Sequence, residues 1–277
     1  MSRKATMETW LTLGDLAGRR FDPDYWDEEF VAIESLLRRR AARPLGDFVT
    51  FITYGQVGGR VLSPRGAVRY LQVVNVRETG IDFLIKPDRV AEGSNNDPER
   101  SRVQKDDLLF VNNSFAGGTR MLGRCIIVPR DYGKVNVSQH IDVVRIAGID
   151  PYFVGAVIKC QYGQAQVRRL KYGVSSTELS FQQVKEMLIP AADDDTQLEV
   201  RKLYLRMADQ HEKAMDRKAE LAEGSKHRSG RDRELDELAK DDSSYQRLIG
   251  AAEATLREML GRVEAYIRGE TTVSPRD

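Results

Sequence analysis

Between residues 45 and 146, short runs rich in valine, isoleucine and aromatic residues alternate with glycine- and proline-bearing breaks. DFVTFITYG, VRYLQVVNVR, GIDFLIK, DDLLFVNN, GRCIIVP and HIDVVRI each read as a strand. On either side the apolar spacing is helical. Ahead of the strands, DPDYWDEEFVAIESLLRRRAA puts Phe30, Ile33, Leu36 and Leu37 on one face. Asp22 is the expected N-cap and Pro23 the first helical residue, with acidic residues at the start and Arg38 to Arg40 at the end. Pro44 stops this helix. DPYFVGAVIKCQYGQAQVRRL reads as one helix opened by Asp150-Pro151, and TELSFQQVKEMLI as a short helix with or without a strand.

The texture changes at Ile189-Pro190-Ala191. Beyond it the chain is dominated by Ala, Leu, Glu, Lys and Arg. Val200, Tyr204, Met207, His211, Ala214, Lys218 and Leu221 follow a 4-3 spacing, as do Tyr245, Ile249, Ala252, Leu256, Met259, Val263 and Tyr266. Two heptad seams of about three heptads each predict two long helices, separated by GSKHRSG. The expected organisation is a helical lead-in over 1–43, a β-rich domain over 44–190 and a helical coiled-coil arm over 191–277. The fold class is α+β. The arm reads as an antiparallel hairpin. Tyr204, Met207, His211, Ile249, Leu256, Met259, Val263 and Tyr266 are the expected interface with a second copy or another partner.

Charge follows the same division. The whole chain of 277 residues carries a net charge of +1, which by itself points to no polyanion partner. Residues 1–190 carry a net +5 and residues 191–277 a net −4. Cys125 and Cys160 both lie in apolar runs and read as reduced core residues, so a Cys₄ or Cys₂His₂ zinc site is not expected. No signal-peptide pattern opens the sequence and no run suits a membrane span, so a cytoplasmic protein without membrane association is expected.

Catalytic motifs are missing from the sequence. The Gly58-Gly59 and Gly117-Gly118 pairs lack the frame of a phosphate loop, and there is no HExxH, GxSxG or CxxC. An Asn-Pro-Pro-aromatic tetrad is absent, so base methylation by this chain is not expected. Pro87-Asp88 lacks the acidic-x-Lys of a nuclease, and Asp106-Asp107 reads as a turn before a strand. What remains is a set of polar residues suited to base edges and phosphates. They are Arg60, Asn75, Arg77, Asn112, Asn113, Thr119, Arg120, Gln139, His140, Arg168, Arg169, Lys171 and Tyr172. No catalytic or metal-binding residue is expected.

The order of segments resembles a known family. RFDPDYWDEEF, PLGDFVTFITYGQ, YLQVVNVRETGID, VQKDDLLFVNNSFAGGTRMLGRCIIVP and VNVSQHIDVVRI, followed by the helical segments, are similar to one target recognition domain of the specificity subunit of type I restriction–modification systems. Such subunits usually carry two recognition domains, and this chain resembles half of one. The resemblance implies a non-catalytic DNA-binding subunit that directs a separate DNA methyltransferase, and with it a restriction nuclease, to double-stranded DNA. S-adenosylmethionine would belong to the methyltransferase, with no cofactor in this chain. It also implies a homodimer through the arm. A helix of about 25 residues spans about 38 Å at ~1.5 Å per residue, close to the ~34–36 Å of one DNA turn. The alternatives are a DNA-recognition module of another modification or phage-defence complex, and an α+β oligomerisation protein that binds no DNA.

Overall fold

Asp27 caps the first helix, α1 (Glu28–Arg39), accepting from the Glu29 N–H at 3.0 Å. The expected cap, Asp22, lies outside the described residues. Pro23–Trp26 forms a separate 3₁₀ turn ahead of the helix. The computed structural model describes residues 23–57, 62, 65–114, 121–171, 177–224 and 232–270.

The strands are β1 (Arg43–Pro44), β2 (Val49–Tyr54), β3 (Val68–Leu71), β4 (Arg89–Val90), β5 (Leu108–Val111), β6 (Asn113–Ser114), β7 (Cys125–Ile127), β8 (Val135–Val137), β9 (Ile141–Ile146), β10 (Thr177–Glu178) and β11 (Leu188–Ile189). The main sheet has the order β2-β9-β5-β7 and is antiparallel throughout. Every residue of β5 is buried, so both its faces are covered. A smaller sheet, β4-β3-β8, pairs β3 antiparallel to β4 and parallel to β8.

Several predicted elements differ. The strand over VRYLQVVNVR ends at Leu71, and Val73–Asn75 forms a 3₁₀ turn. Gly80 to Lys86 folds as turns, with a single bridge from Ile81 to Val76. The reason is Asn75. Its Oδ1 accepts from the Gln72 N–H at 2.7 Å, and its Nδ2 donates to the carbonyls of Asp82 at 2.8 Å and Ile85 at 2.5 Å. A side-chain amide thus takes up backbone groups that a strand would have paired. The long helix from Asp150 is divided at Cys160, whose ψ of 166° is extended, into α2 (Pro151–Lys159) and α3 (Gln161–Leu170). Asp150 caps α2 as expected, accepting from the Tyr152 and Phe153 amides. α4 (Phe181–Glu186) follows, opened by a Ser180–Gln183 capping box.

Beyond Pro190 come α5 (Asp194–Gly224), α6 (Asp232–Asp241) and α7 (Ser243–Arg268). The partners Glu199–Arg262, Arg206–Glu258, Gln210–Thr255 and Arg217–Asp242 run in opposite order, so α5 and α7 are antiparallel. Across the expected boundary the apolar core is continuous. Val200, Leu203, Tyr204, Met207, Ala252, Met259, Val263 and Ile267 share one cluster with the sheet and α2. Among the described residues no helix is long and apolar enough to cross a membrane.

The expected interface residues are therefore corrected. Tyr204, Met207, His211, Met259 and Val263 are all buried inside the chain. Leu256 packs against the same core. Ile249 lines a cleft between the helices and the β-rich part, and Tyr266 donates its hydroxyl to the Ala191 carbonyl at 2.6 Å. The Tyr204 ring meets Tyr152 edge-on at 5.4 Å, and its hydroxyl accepts from the Ile127 N–H at 2.9 Å. β7 is an edge strand, so this bond satisfies an outward-facing amide. Two glycines make room for α5. A Cβ on Gly155 would stand 2.7 Å from Ile127 and 3.3 Å from the Tyr204 ring, and one on Gly80 would stand 2.1 Å from the His211 imidazole. Tyr204→Phe keeps the ring and removes the acceptor. It should destabilise the protein by about 1–3 kcal/mol, measured by denaturant unfolding, and speed hydrogen exchange at Ile127. An unchanged midpoint with unchanged exchange would show that the hydroxyl contributes nothing.

Candidate nucleic-acid interface

The polar residues singled out in the sequence separate into three places. Arg60, Thr119, Arg120 and Tyr172 lie outside the described residues. Asn75 is 1% exposed with its amide committed to the turn, so it holds the fold and is not available to a base. Arg77 stands 3.9 Å from Asp82 in a cleft of about 300 Å³ beneath α5, α6 and α7. Its neighbours there include His211, Lys218 and Tyr245. Buried Lys218 bridges Asp82 at 2.8 Å and Asp236 at 2.5 Å, and His211 meets the Thr79 hydroxyl at 2.8 Å. The arm thus covers the Asn75–Arg77 surface.

The basic cluster after α2 is also corrected in part. Arg169 is buried. It pairs with Glu34 at 2.7 Å, donates to the Tyr25 carbonyl at 2.8 Å and stacks 4.2 Å over the Tyr25 ring. It fastens α3 to α1 and the preceding turn. Arg168 is exposed but paired with Glu29 at 2.8 Å. Lys171 is half-buried at the end of α3.

The third place brings Asn112, Asn113, Gln139 and His140 together at one end of the main sheet. Asn112 is buried. Its Nδ2 donates to the Gln139 carbonyl at 3.3 Å and to Asp142 Oδ1 at 2.6 Å, and its backbone N–H donates to the His140 carbonyl at 3.1 Å. Asn113 is buried in β6, opposite Glu178. Gln139 and His140 are half-exposed, with Gln139 Nε2 and His140 Nε2 2.8 Å apart. Asn112 therefore positions the β8–β9 connection, and Gln139 with His140 forms its outward tip. Burial lowers the His140 pKa, partly opposed by Glu178.

Two members of this cluster were missed in the sequence. Ser138 Oγ and Asp142 Oδ2 are buried without a hydrogen-bond partner, as is Asn113 Oδ1. Asp142 is fully buried. Desolvation raises its pKa to about 7, against the lowering effect of the Asn112 hydrogen bond and with a smaller raising effect from Glu178. An acid within the apolar alternation of HIDVVRI was the available signal.

A second group was missed entirely. Arg69 and Arg89 are direct partners across the β3–β4 ladder. Like charges so placed are destabilising, by roughly 0.2–1 kcal/mol. Desolvation, Arg89 and Arg130 all lower the Arg69 pKa, the nearby Tyr132 opposing them. The Arg69 guanidinium lies 4.2 Å over the Phe83 ring and donates to the Tyr132 carbonyl. That of Arg130 lies 4.9 Å over the Tyr132 ring, and the two rings meet edge-on at 5.2 Å.

Other chemistry is spent on packing. Asp106 accepts from the Tyr152 hydroxyl at 2.6 Å, while Asp107 accepts from the Gln104 N–H at 2.8 Å and from Arg145 at 3.2 Å, so the two carboxylates serve separate contacts. Burial pushes the thiol of Cys125 up to about 11 and that of Cys160 up to about 12, which removes their nucleophilic form near neutrality. Among the described residues no three His, Cys, Asp or Glu side chains are grouped to hold a metal ion.

Asp142 gives this region a pH dependence of stability. Its native pKa of about 7 exceeds the ordinary Asp value of ~3.9. Between these values the folded state holds a proton that the unfolded chain releases, so the associated stability is fully present below ~3.9 and is lost as the pH rises from there through about 7. Asp142→Asn should leave stability near that of the wild type at about pH 4 and raise it on the order of 2 kcal/mol at about pH 8. Parallel denaturation curves at the two pH values check this, and a variant weaker at both would refute it.

The sequence matches no protein-family model and no curated protein. Among solved structures it is similar to the type I restriction–modification system S subunit from M. genitalium, with a TM-score of 0.43 and 13% identity. The similarity covers 74% of this chain and 47% of that one, so the chain spans less than half the length of that subunit. A likeness of this depth carries no statement about function.

Proposed function

We propose that this chain recognises a DNA sequence and directs a separate DNA methyltransferase to it. The observation that carries the reading is the Gln139–His140 tip. An amide and an imidazole stand side by side, half-exposed, on a connection pinned to the sheet by Asn112. Glutamine pairs bidentately with adenine in the major groove, and a positioned polar pair contributes about 1–3 kcal/mol of discrimination. The order of sequence segments across residues 44–190, similar to a type I target recognition domain, supports DNA as the ligand and a methyltransferase as the partner. The net +5 of residues 1–190 is in keeping with a polyanion.

The chemistry in this scheme belongs to the partner, which would bring S-adenosylmethionine. This chain supplies the choice of site. Asn112 acts as a positioning residue, and Gln139 and His140 make the contacts. A second copy would not meet Tyr204, Met207, His211, Met259 or Val263, which are buried within the chain.

Selection of bound duplexes from a randomised pool, followed by sequencing, tests the reading. The wild type should enrich one motif, and Gln139→Ala should lose about tenfold discrimination at one base pair while binding random duplex as before. A wild type that retains no duplex even at low salt would falsify the reading.

A further inference from the structure

We propose that the β3–β4 ladder and its aromatic border form the surface that grips the DNA backbone; this rests on the DNA-reading function above. The ladder places Arg69 beside Arg89 with no intervening acid. Among the described residues neither has a carboxylate within ion-pair distance, whereas Arg168, Arg169, Arg206 and Arg262 are each paired. The ladder therefore sets two cations side by side without a carboxylate partner.

The border gives the charge its shape. Arg69, Phe83, Tyr132 and Arg130 form a row in which a ring backs each guanidinium. Stacking holds the Arg69 guanidinium flat; one of its Nη groups donates to the Tyr132 carbonyl, and its other N–H groups can serve an oxyanion. The acid that reaches the row is Glu212 of α5, which accepts from Arg130 at 2.9 Å and from the Tyr132 hydroxyl at 2.5 Å. Lys134, next to the Val135 that pairs with Arg69, is itself paired with Glu92.

Position favours phosphate over other anions. β8 leads directly from the ladder to the Gln139–His140 tip. Val135 pairs with Arg69, and Gln139 is four residues further on, in the turn after β8, at most about 13 Å at ~3.3 Å per residue. The major groove is ~12 Å wide. A base-reading tip in the groove thus has the ladder at the distance of the flanking phosphates.

The test compares the full-length protein with Arg69→Gln, Arg89→Gln and the double variant, on the selected duplex and a scrambled one, between about 50 and 200 mM salt. Each substitution should weaken both duplexes alike, reduce the salt slope by about 1 and leave their affinity ratio unchanged. Thermal unfolding of Arg89→Gln without DNA should be unchanged or shifted upward, because a repulsion has been removed. Arg69→Lys, which keeps the charge, should retain the wild-type slope and separates loss of charge from loss of fold. Wild-type selection with unaltered slopes in all variants would overturn the ladder as the grip and leave DNA reading intact. A wild type that binds no duplex would overturn the reading itself. Competition by polyglutamate as strong as by duplex of equal charge would assign the face to an acidic protein instead.

Discussion

Docking of α5 against the edge of the main sheet is the constraint on which the rest of the structure depends. At its centre the Tyr204 hydroxyl meets the Ile127 N–H of edge strand β7, with the ring against Tyr152 and over Gly155. That contact seals the edge and extends the core into the helical pair. It also sets the height at which Glu212 meets Tyr132 and Lys218 meets Asp82. The helices are thus part of what shapes the polar surfaces, through side chains that reach two elements at once.

Charge and burial then sort the polar residues by role. Arg169 and Asn75 are consumed by packing, each satisfying groups from separate segments. Asp142 is held in an apolar site that favours its protonated form, and the neighbouring Asn113 and Ser138 keep buried polar atoms unpaired. Buried polar groups are ordinarily satisfied, so this end of the sheet carries three exceptions close together. The β3–β4 ladder carries a different cost, since two cations face each other without a counterion. Uncompensated terms of this kind can be relieved by a partner, and both regions enter the functional reading.

The candidate site was legible in the sequence only at its tip. Gln139 and His140 stand out as polar residues between two apolar strands, and the asparagines of LLFVNNS close a strand, so their residue type was informative. That Asn112 faces inward, toward Asp142, depends on the pairing of β5 with β9, and register is not written in either strand alone. Arg69 and Arg89, twenty residues apart in sequence, become neighbours only through the β3–β4 pairing. Arg168 and Arg169 formed the more conspicuous basic pair, yet adjacent residues on a helix point to different sides, and one of them is internal.

The sequence by itself determined the α+β class, the four strands of the main sheet, the Asp150 cap and the two long helices, because these follow from local periodicity and capping chemistry. It also determined the apolar stripes on α5 and α7, since heptad spacing reports which face is buried. What covers those faces was decided only by the tertiary structure. A stripe is satisfied equally by another chain or by the chain's own sheet, and here Gly80 and Gly155 leave room for the sheet side to come close. The hydrophobic effect carries no direction, so the choice between an outward arm and an inward buttress rests on shape, which only the assembled fold supplies.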